Sequence, residues 1–266
     1  MTLLENQEEA RRVPFRTVYG QVLAPGGRAR WGCFAIEGTR LHERALRAGR
    51  PPLKALAAES YGASAREAAL LAALAAAGVA LERAPDAELA PLLGGRTFGA
   101  ILGLVGVQEP PPLASLLRAP RARVVVLVDV TDPGNVGALV RTAHAGGARG
   151  LIATGRSDPY HPKAVRASMG SVFKLPLLAA ETPELLEELR GLGVRTVAAT
   201  TAGADLRSFV PDDGPYALVL GSEAHGLAPA RYDAELRIPM PPGVDSYSVN
   251  AAAAILLYAL APLPEA

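Results

Sequence analysis

The chain has 266 residues and a single cysteine, Cys33, so no disulfide can form within it. The same count excludes a Cys/His zinc set. A chain without a disulfide framework fits a reducing cytoplasm, and Cys33 reads as a buried structural thiol. No run of about 18 apolar residues escapes interruption by a charge, Pro or Gly, which leaves no candidate membrane span. The opening MTLLENQEEARR is acidic and polar, without the basic and apolar regions of a secretory signal. Neither sign of charge dominates: 27 Lys and Arg face 26 Asp and Glu, for a net charge of +1. Most simple nucleic-acid binders are more basic, so an RNA partner requires a local patch. No repeat of solenoid period occurs, and no metal-ligand cluster is visible.

Half of the residues are hydrophobic, ample for a buried core and unlike a disordered chain. The 23 prolines punctuate the loops. Three of them, Pro110 to Pro112, stand together in VQEPPPLASLLRAP and predict a stiff linker over 108–120. This divides the chain into a domain at 1–107, whose first ~20 residues are expected to be flexible, and a second domain at 121–266.

The first domain reads as alternating strands and helices. CFAIEG (33–38) is a strand, followed by a helix with Thr39 as N-cap and Gly49 as its stop. LKALAAE (53–59) is a second strand. Ser64 and Glu67 form a capping box at the head of a long helix. VALERAP, DAELAPLL and FGAILGLV complete a β-α-β-α-β-α-β pattern, a small α/β domain. In the second domain RVVVLVDV (123–130) is the near-continuous apolar run of a central parallel strand. Further strands are expected at 150–155, at KLPLLAA, and at 194–200, 216–222 and 236–240, with helices near 135–146, 161–171 and 183–191. The closing helix VNAAAAILLYALA is apolar all round and should be buried on most faces.

Three loops after strands carry residues suited to chemistry. TDPGNVGALVRTAHAGG follows the strongest strand, where α/β proteins bind ligands. Asn135 offers a donor and an acceptor at a helix start, and Arg141 lies on the second turn. In LVLGSEAHGL, Gly221 and Gly226 permit tight turns and Glu223 sits at a strand end. His225 reads as an ordinary loop residue. In IPMPPGVDSYSVNAAAAILLY, Ser246, Ser248 and Asn250 gather at a helix N-terminus, a place that suits anions and ligand carboxylates. Each loop taken alone is equally well a turn or a cap. Lys163 and Arg166 share a helical face and could clamp phosphates or simply face solvent.

The order of these motifs is far more specific than any one of them. Asn-x-Gly-x-x-x-Arg, then Gly-(Asn/Ser)-Glu-x-x-Gly-(Leu/Ile), then Ile-Pro-Met with a Ser-rich turn and an Ala-rich helix, resemble the three signature motifs of the SpoU, or TrmH-type, RNA 2′-O-methyltransferases. The likeness runs from about Arg123 to Tyr258, and KAVRASMGSVFKLP is similar to the family's second-helix region. FAIEGTRLHERAL resembles the start of the family's L30e-like RNA substrate-binding domain. The resemblance implies a C-terminal SPOUT α/β domain, a trefoil-knotted parallel sheet with flanking helices that binds S-adenosylmethionine, and a homodimer. It implies methyl transfer to a ribose 2′-hydroxyl of structured RNA, with rRNA preferred over tRNA. The expected catalytic residues are Asn135, Arg141, Glu223, Ser246 and Ser248. The expected cofactor contacts are Thr200, Gly221, Glu223, Ile238, Met240, Ser246 and Tyr247. An RNA patch is expected from Arg28, Arg30, Lys163 and Arg166.

Two departures stand out. Where the family has Ser-Leu-Asn, this chain has Ser246, Tyr247 and Ser248. Ser keeps a donor and an acceptor but has less reach than Asn. Asn250 lies two residues further along, which helical spacing puts on another face. The family proposal makes the first-motif arginine the base. A guanidinium holds its proton, so Arg141 reads better as a phosphate clamp that orients the hydroxyl, with an RNA phosphate oxygen or water taking the proton. A catalytically weakened RNA-binding homologue is the alternative that the Ser248 change raises. A dinucleotide oxidoreductase is disfavoured because no G-x-G-x-x-G follows the first strand of either half. A purely structural ribosome-associated protein would have no need of three ligand loops.

Overall fold

The structure, a computed structural model, describes residues 2–93, 99–222, 226–228 and 230–261. The elements in chain order are α1 (Leu3–Arg12), α2 (Phe15–Val22), α3 (Pro25–Trp31), β1 (Cys33–Glu37), α4 (Thr39–Arg47), β2 (Lys54–Ala58), α5 (Ala65–Ala76), β3 (Ala80–Ala84), α6 (Asp86–Leu93), β4 (Ile101–Gly106) and α7 (Leu113–Leu116). They continue with β5 (Arg123–Val128), α8 (Pro133–Ala145), β6 (Gly150–Thr154), α9 (Pro162–Ala167), β7 (Leu177–Ala180), α10 (Thr182–Gly191), β8 (Arg195–Asp205), β9 (Tyr216–Leu220), β10 (Ala234–Arg237) and α11 (Val249–Ala259). Two compact units result: Met1–Glu109 with Tyr160–Phe173, and Pro110–Pro159 with Lys174–Ala266.

In the first unit the β-α-β-α-β-α-β succession from β1 to β4 forms a four-stranded sheet of order β1-β4-β2-β3. β4 is antiparallel to both neighbours, while β2 and β3 are parallel. Ser64 and Glu67 make the expected capping box at α5. Thr39 does not cap α4. Gly38, at φ 81°, holds the cap position, and the Thr39 hydroxyl instead shares a 2.7 Å hydrogen bond with the Tyr61 hydroxyl. The polar N-terminal segment forms helices α1 and α2. Phe15, Val18, Tyr19 and Val22 are buried on one stripe of α2, and the Gln7 amide on α1 donates 2.9 Å hydrogen bonds to the carbonyls of Gly32 and Val107. Their apolar stripe, hidden among Glu, Gln and Arg, needs only a partner surface to become core.

The domain boundary also differs from expectation. Residues 160–173 fall inside the second domain by sequence but belong to the first unit. Glu37, buried at the end of β1, accepts from the Tyr19 hydroxyl at 3.2 Å and from the Arg166 guanidinium at 2.9 Å. Phe34 meets the rings of Tyr160 and Phe173 at centroid distances of 4.9 and 6.2 Å. The expected helix over 161–171 is accordingly short. It ends at Ala167, ahead of Met169 and Gly170, both at positive φ.

The second unit is a six-stranded parallel sheet of order β10-β8-β9-β5-β6-β7. β5 is buried on both faces, as its unbroken apolar run requires. Val124, Val126 and Val128 pack with Leu113, Leu117, Leu185 and Leu189. Leu113 and Leu117 come from the stretch expected to be a linker. The triple proline positions the chain, but the leucines that follow it are core. On the other side α8 and α11 run parallel. Their N-terminal ends meet at Asn135 and Asn250, 3.0 Å apart. At their C-terminal ends Gly146 abuts Leu257, whose carbonyl accepts from Arg123 at 2.9 Å.

Candidate active site

Three turns leave the C-terminal ends of β5, β9 and β10 in the second unit, where β8 lies between β9 and β10. From β5 the chain passes through Asp129 at φ 53°, a left-handed conformation rare for a residue with a side chain. Asp129 accepts from the Arg156 N–H at 3.1 Å, which holds the turn in place. Sequence reasoning gave no sign of this strain. Asp132 then caps α8, its carboxylate accepting from the Asn135 N–H at 2.9 Å.

From β9 the chain enters the second turn at Gly221. A Cβ there would lie 2.3 Å from the backbone of Gly226, so only glycine lets the chain fold back over itself. The return is closed by a 2.8 Å hydrogen bond from the Gly226 N–H to the Ser222 carbonyl. Gly226 itself sits at φ 64°. Glu223 and His225 lie outside the described residues. The third turn follows β10, which ends at Arg237, so that Ile238 and Met240 belong to the turn rather than to the strand.

The second and third turns, β8 and α11 line a cavity of about 350 Å³, with residues from Ala199 to Leu256. Leu220, Leu236, Ile238, Met240 and Leu256 supply apolar walls, while Thr200, Thr201, Ser222 and Ser246 supply small polar groups. The expected cofactor residues among those described, Thr200, Gly221, Ile238, Met240, Ser246 and Tyr247, all line it. Thr200 is not at its strand's end, since β8 continues to Asp205.

The expected catalytic set is brought together in part. Asn135 does not line the cavity but is tied to it by the Asn250 amide on α11, which donates to the Asn135 carbonyl oxygen at 3.0 Å. Asn250 therefore faces Asn135 rather than the cavity, in keeping with the separate face that helical spacing gives it. The first turn of α11 abuts the first turn of α8, and the second helical residue can reach where the cap cannot. Ser248 is the N-cap of α11 and accepts from the Ala251 N–H at 3.3 Å. It is outside the cavity lining. Arg141 is exposed on α8 and does not line the cavity.

The expected RNA patch does not hold together. Arg28 is 6% exposed and donates to the Val22 carbonyl at 2.9 Å, so it cannot reach a phosphate. Arg166 is committed to buried Glu37. Arg30 pairs with Glu9 at 2.5 Å and stacks over Trp31, which leaves it partly neutralised. Lys163 remains exposed. Guanidiniums in a sequence count equally, whereas buried carboxylates and carbonyls claim some of them on folding. Among the described residues no group of three His, Cys, Asp or Glu could hold a metal ion.

A cavity at the carboxyl ends of parallel strands fits many ligands. Residues 122–258, which supply all three turns and both flanking helices, match the model of the SpoU rRNA Methylase family. The chain is a SpoU methylase. Its fold is the SPOUT α/β fold, a parallel sheet flanked by helices, preceded by a smaller α/β unit. Among its relatives is the 23S rRNA (guanosine(2553)-2′-O)-methyltransferase RlmP of Bacillus subtilis, 30% identical over 60% of this chain and 69% of the relative. The SpoU methyltransferase AviRb from Streptomyces viridochromogenes, solved in complex with AdoMet, superposes with a TM-score of 0.80 at 27% identity, over 92% of this chain and 96% of that one. The AdoMet-bound rRNA methyltransferase from Sinorhizobium meliloti does so at 0.80 and 28%, over 94% of both chains. In this SpoU methylase the matched region includes residues 160–173, which pack with the first unit.

Proposed function

We propose that this SpoU methylase transfers a methyl group from S-adenosylmethionine to a ribose 2′-hydroxyl of structured RNA, with rRNA as the substrate class. The observation that carries the reading is the cavity. Two of the motif-bearing turns, with β8 and α11, line one pocket of about 350 Å³ with apolar walls and a few small hydroxyls, which suits the flat apolar face of an adenine together with the polar groups of its nucleoside. AdoMet-bound SpoU methyltransferases of the same fold support the cofactor. A 23S rRNA 2′-O-methyltransferase among the relatives supports rRNA over tRNA.

When bound, S-adenosylmethionine supplies an electrophilic methyl on its sulfonium. The protein's part is position and exclusion of water. Leu220, Ile238, Met240 and Leu256 form the dry wall, and Tyr247 offers an aromatic face at the rim. Glu223, which matches the family's second motif, has the role of ordering the site. Asn135 hydrogen-bonds the target ribose. Arg141, exposed on α8, clamps the adjacent phosphate and orients the hydroxyl, while an RNA phosphate oxygen or water removes the proton. Lys163 contributes to phosphate binding from the first unit. The protein works as a homodimer in the cytoplasm. Support for the dimer comes from Tyr258, 86% exposed on α11, a helix without a charged residue.

The test is incubation with radiolabelled S-adenosylmethionine and unmodified ribosomal or transfer RNA, then nuclease digestion and mass spectrometry. The expected product is a 2′-O-methyl nucleoside in rRNA. A base-methylated product, or no incorporation by protein that binds S-adenosylmethionine in calorimetry, overturns the reading.

A further inference from the structure

Helix α4 divides sharply into two faces. Leu41, His42 and Ala45 are buried, whereas Arg40 and Arg47 are exposed. At 3.6 residues per turn, Arg40, Arg44 and Arg47 fall on one stripe opposite the buried face, with Arg40 and Arg47 two turns and about 10 Å apart. Among the described residues neither Arg40 nor Arg47 makes a hydrogen bond or a salt bridge. Arg44 donates to the Met169 carbonyl, a neutral acceptor that leaves its charge in place. Beside the stripe stands Glu43, and it is taken by Arg66 of α5, whose Nε and terminal nitrogen each donate to one of its oxygens at 2.7 Å. The Arg66 hydrogen bonds, with the charges of Arg47 and Arg40 further off, hold the Glu43 carboxyl below its ordinary value. Glu67 on α5 is spent on the N–H groups of Gly62 and Ser64. Four guanidiniums thus gather around one neutralised carboxylate, on a chain whose net charge is only +1.

We infer that the exposed face of α4 docks the phosphate backbone of structured RNA, with Arg40 and Arg47 as its gripping side chains and Arg66 at the flank. This inference rests on the proposed RNA substrate and deepens it by naming a surface that holds it. Every cation on the face is an arginine, whose planar fork matches phosphate oxygens. A face kept for solubility alone would be served better by Asp and Glu. Phosphate contacts fix register and orientation without reading bases. The α4 face accordingly supplies affinity for RNA, and the turns of the second unit supply the chemistry. Glu43 limits that affinity, because it occupies the Arg66 fork that a phosphate would otherwise engage.

The experiment is fluorescence anisotropy on the full-length protein over a range of KCl, with a labelled hairpin RNA of about 16 base pairs as the probe. The double variant Arg40→Ala/Arg47→Ala should bind at least about tenfold more weakly at low salt. The slope of log K against log salt should fall by about 2, one for each phosphate contact removed. Glu43→Gln frees the Arg66 fork and should tighten binding by about two- to fivefold. The control Arg118→Ala/Arg190→Ala removes the same charge from exposed positions of the second unit. It should stay within about threefold of wild type with its slope unchanged. In all variants the Kd for S-adenosylmethionine by calorimetry should stay within about twofold, since none of these residues lines the cavity. Binding by the Arg40→Ala/Arg47→Ala variant within about twofold of wild type, or an equal loss in the control, overturns the inference while the proposed function stands. A wild type that binds neither the hairpin nor rRNA strikes the proposed function itself, and the docking face with it.

Discussion

At the scale of single residues, burial decides chemistry. Cys33 is fully buried, and desolvation pushes its thiol up to about 12, which fits the structural role expected of a lone cysteine. His42 shows the same effect with a measurable consequence. Burial drives its pKa down to about 4 from 6.5, against smaller opposing contributions from the Gly38 and Leu102 carbonyls. In the unfolded chain His42 takes up a proton below pH 6.5, whereas in the fold it stays neutral until about 4. The unfolded state therefore binds more protons in that window, and stability falls as pH falls through it. Between pH 7 and pH 5 the loss from His42 is about 2 kcal/mol. Denaturant titrations of wild type and His42→Leu at both pH values should show this loss in the wild type and a flatter response in the variant.

At the scale of elements, two glycines of one turn and one ion pair carry the clearest tests. Gly221 and Gly226 look alike in sequence, but their reasons differ. A Cβ at Gly221 collides with backbone, whereas Gly226 faces open space and is constrained only by its φ of 64°. Gly226→Ala should therefore cost about 1–2 kcal/mol and leave the cavity intact. Gly221→Ala must open the turn, and calorimetry should show S-adenosylmethionine binding at least tenfold weaker in it than in Gly226→Ala. Arg166 was expected at an RNA surface and is instead the counter-ion of Glu37, whose side chain is 3% exposed. Removing one partner of such a pair strands a charge, so Arg166→Ala should destabilise by about 3 kcal/mol. The matched replacement Glu37→Leu with Arg166→Met should recover most of that in thermal unfolding. If Arg166→Ala left stability unchanged and only weakened RNA binding, the surface role would be restored.

At the scale of the whole molecule, the expectation concerns association. Wild type should sediment as a dimer, and Tyr258→Glu, which sets a charge on the uncharged α11, should shift it toward monomer at micromolar concentration. A monomeric wild type would remove the dimer from the proposed function. The alternation of strands and helices, the central apolar strand and the three ligand turns were legible in the chain because hydrophobic period and glycine placement are local properties. Gly221, Ile238, Met240, Ser246 and Tyr247 are picked out by those turns and line one cavity. What the chain order could not tell was which distant groups would meet: Arg166 with Glu37, Asn250 with Asn135, Leu113 with the β5 core, and residues 160–173 with the first unit. Local propensity specifies the elements. Pairings across a hundred residues depend on how those elements pack, and only the folded arrangement sets which charges are buried and which amides lie within reach.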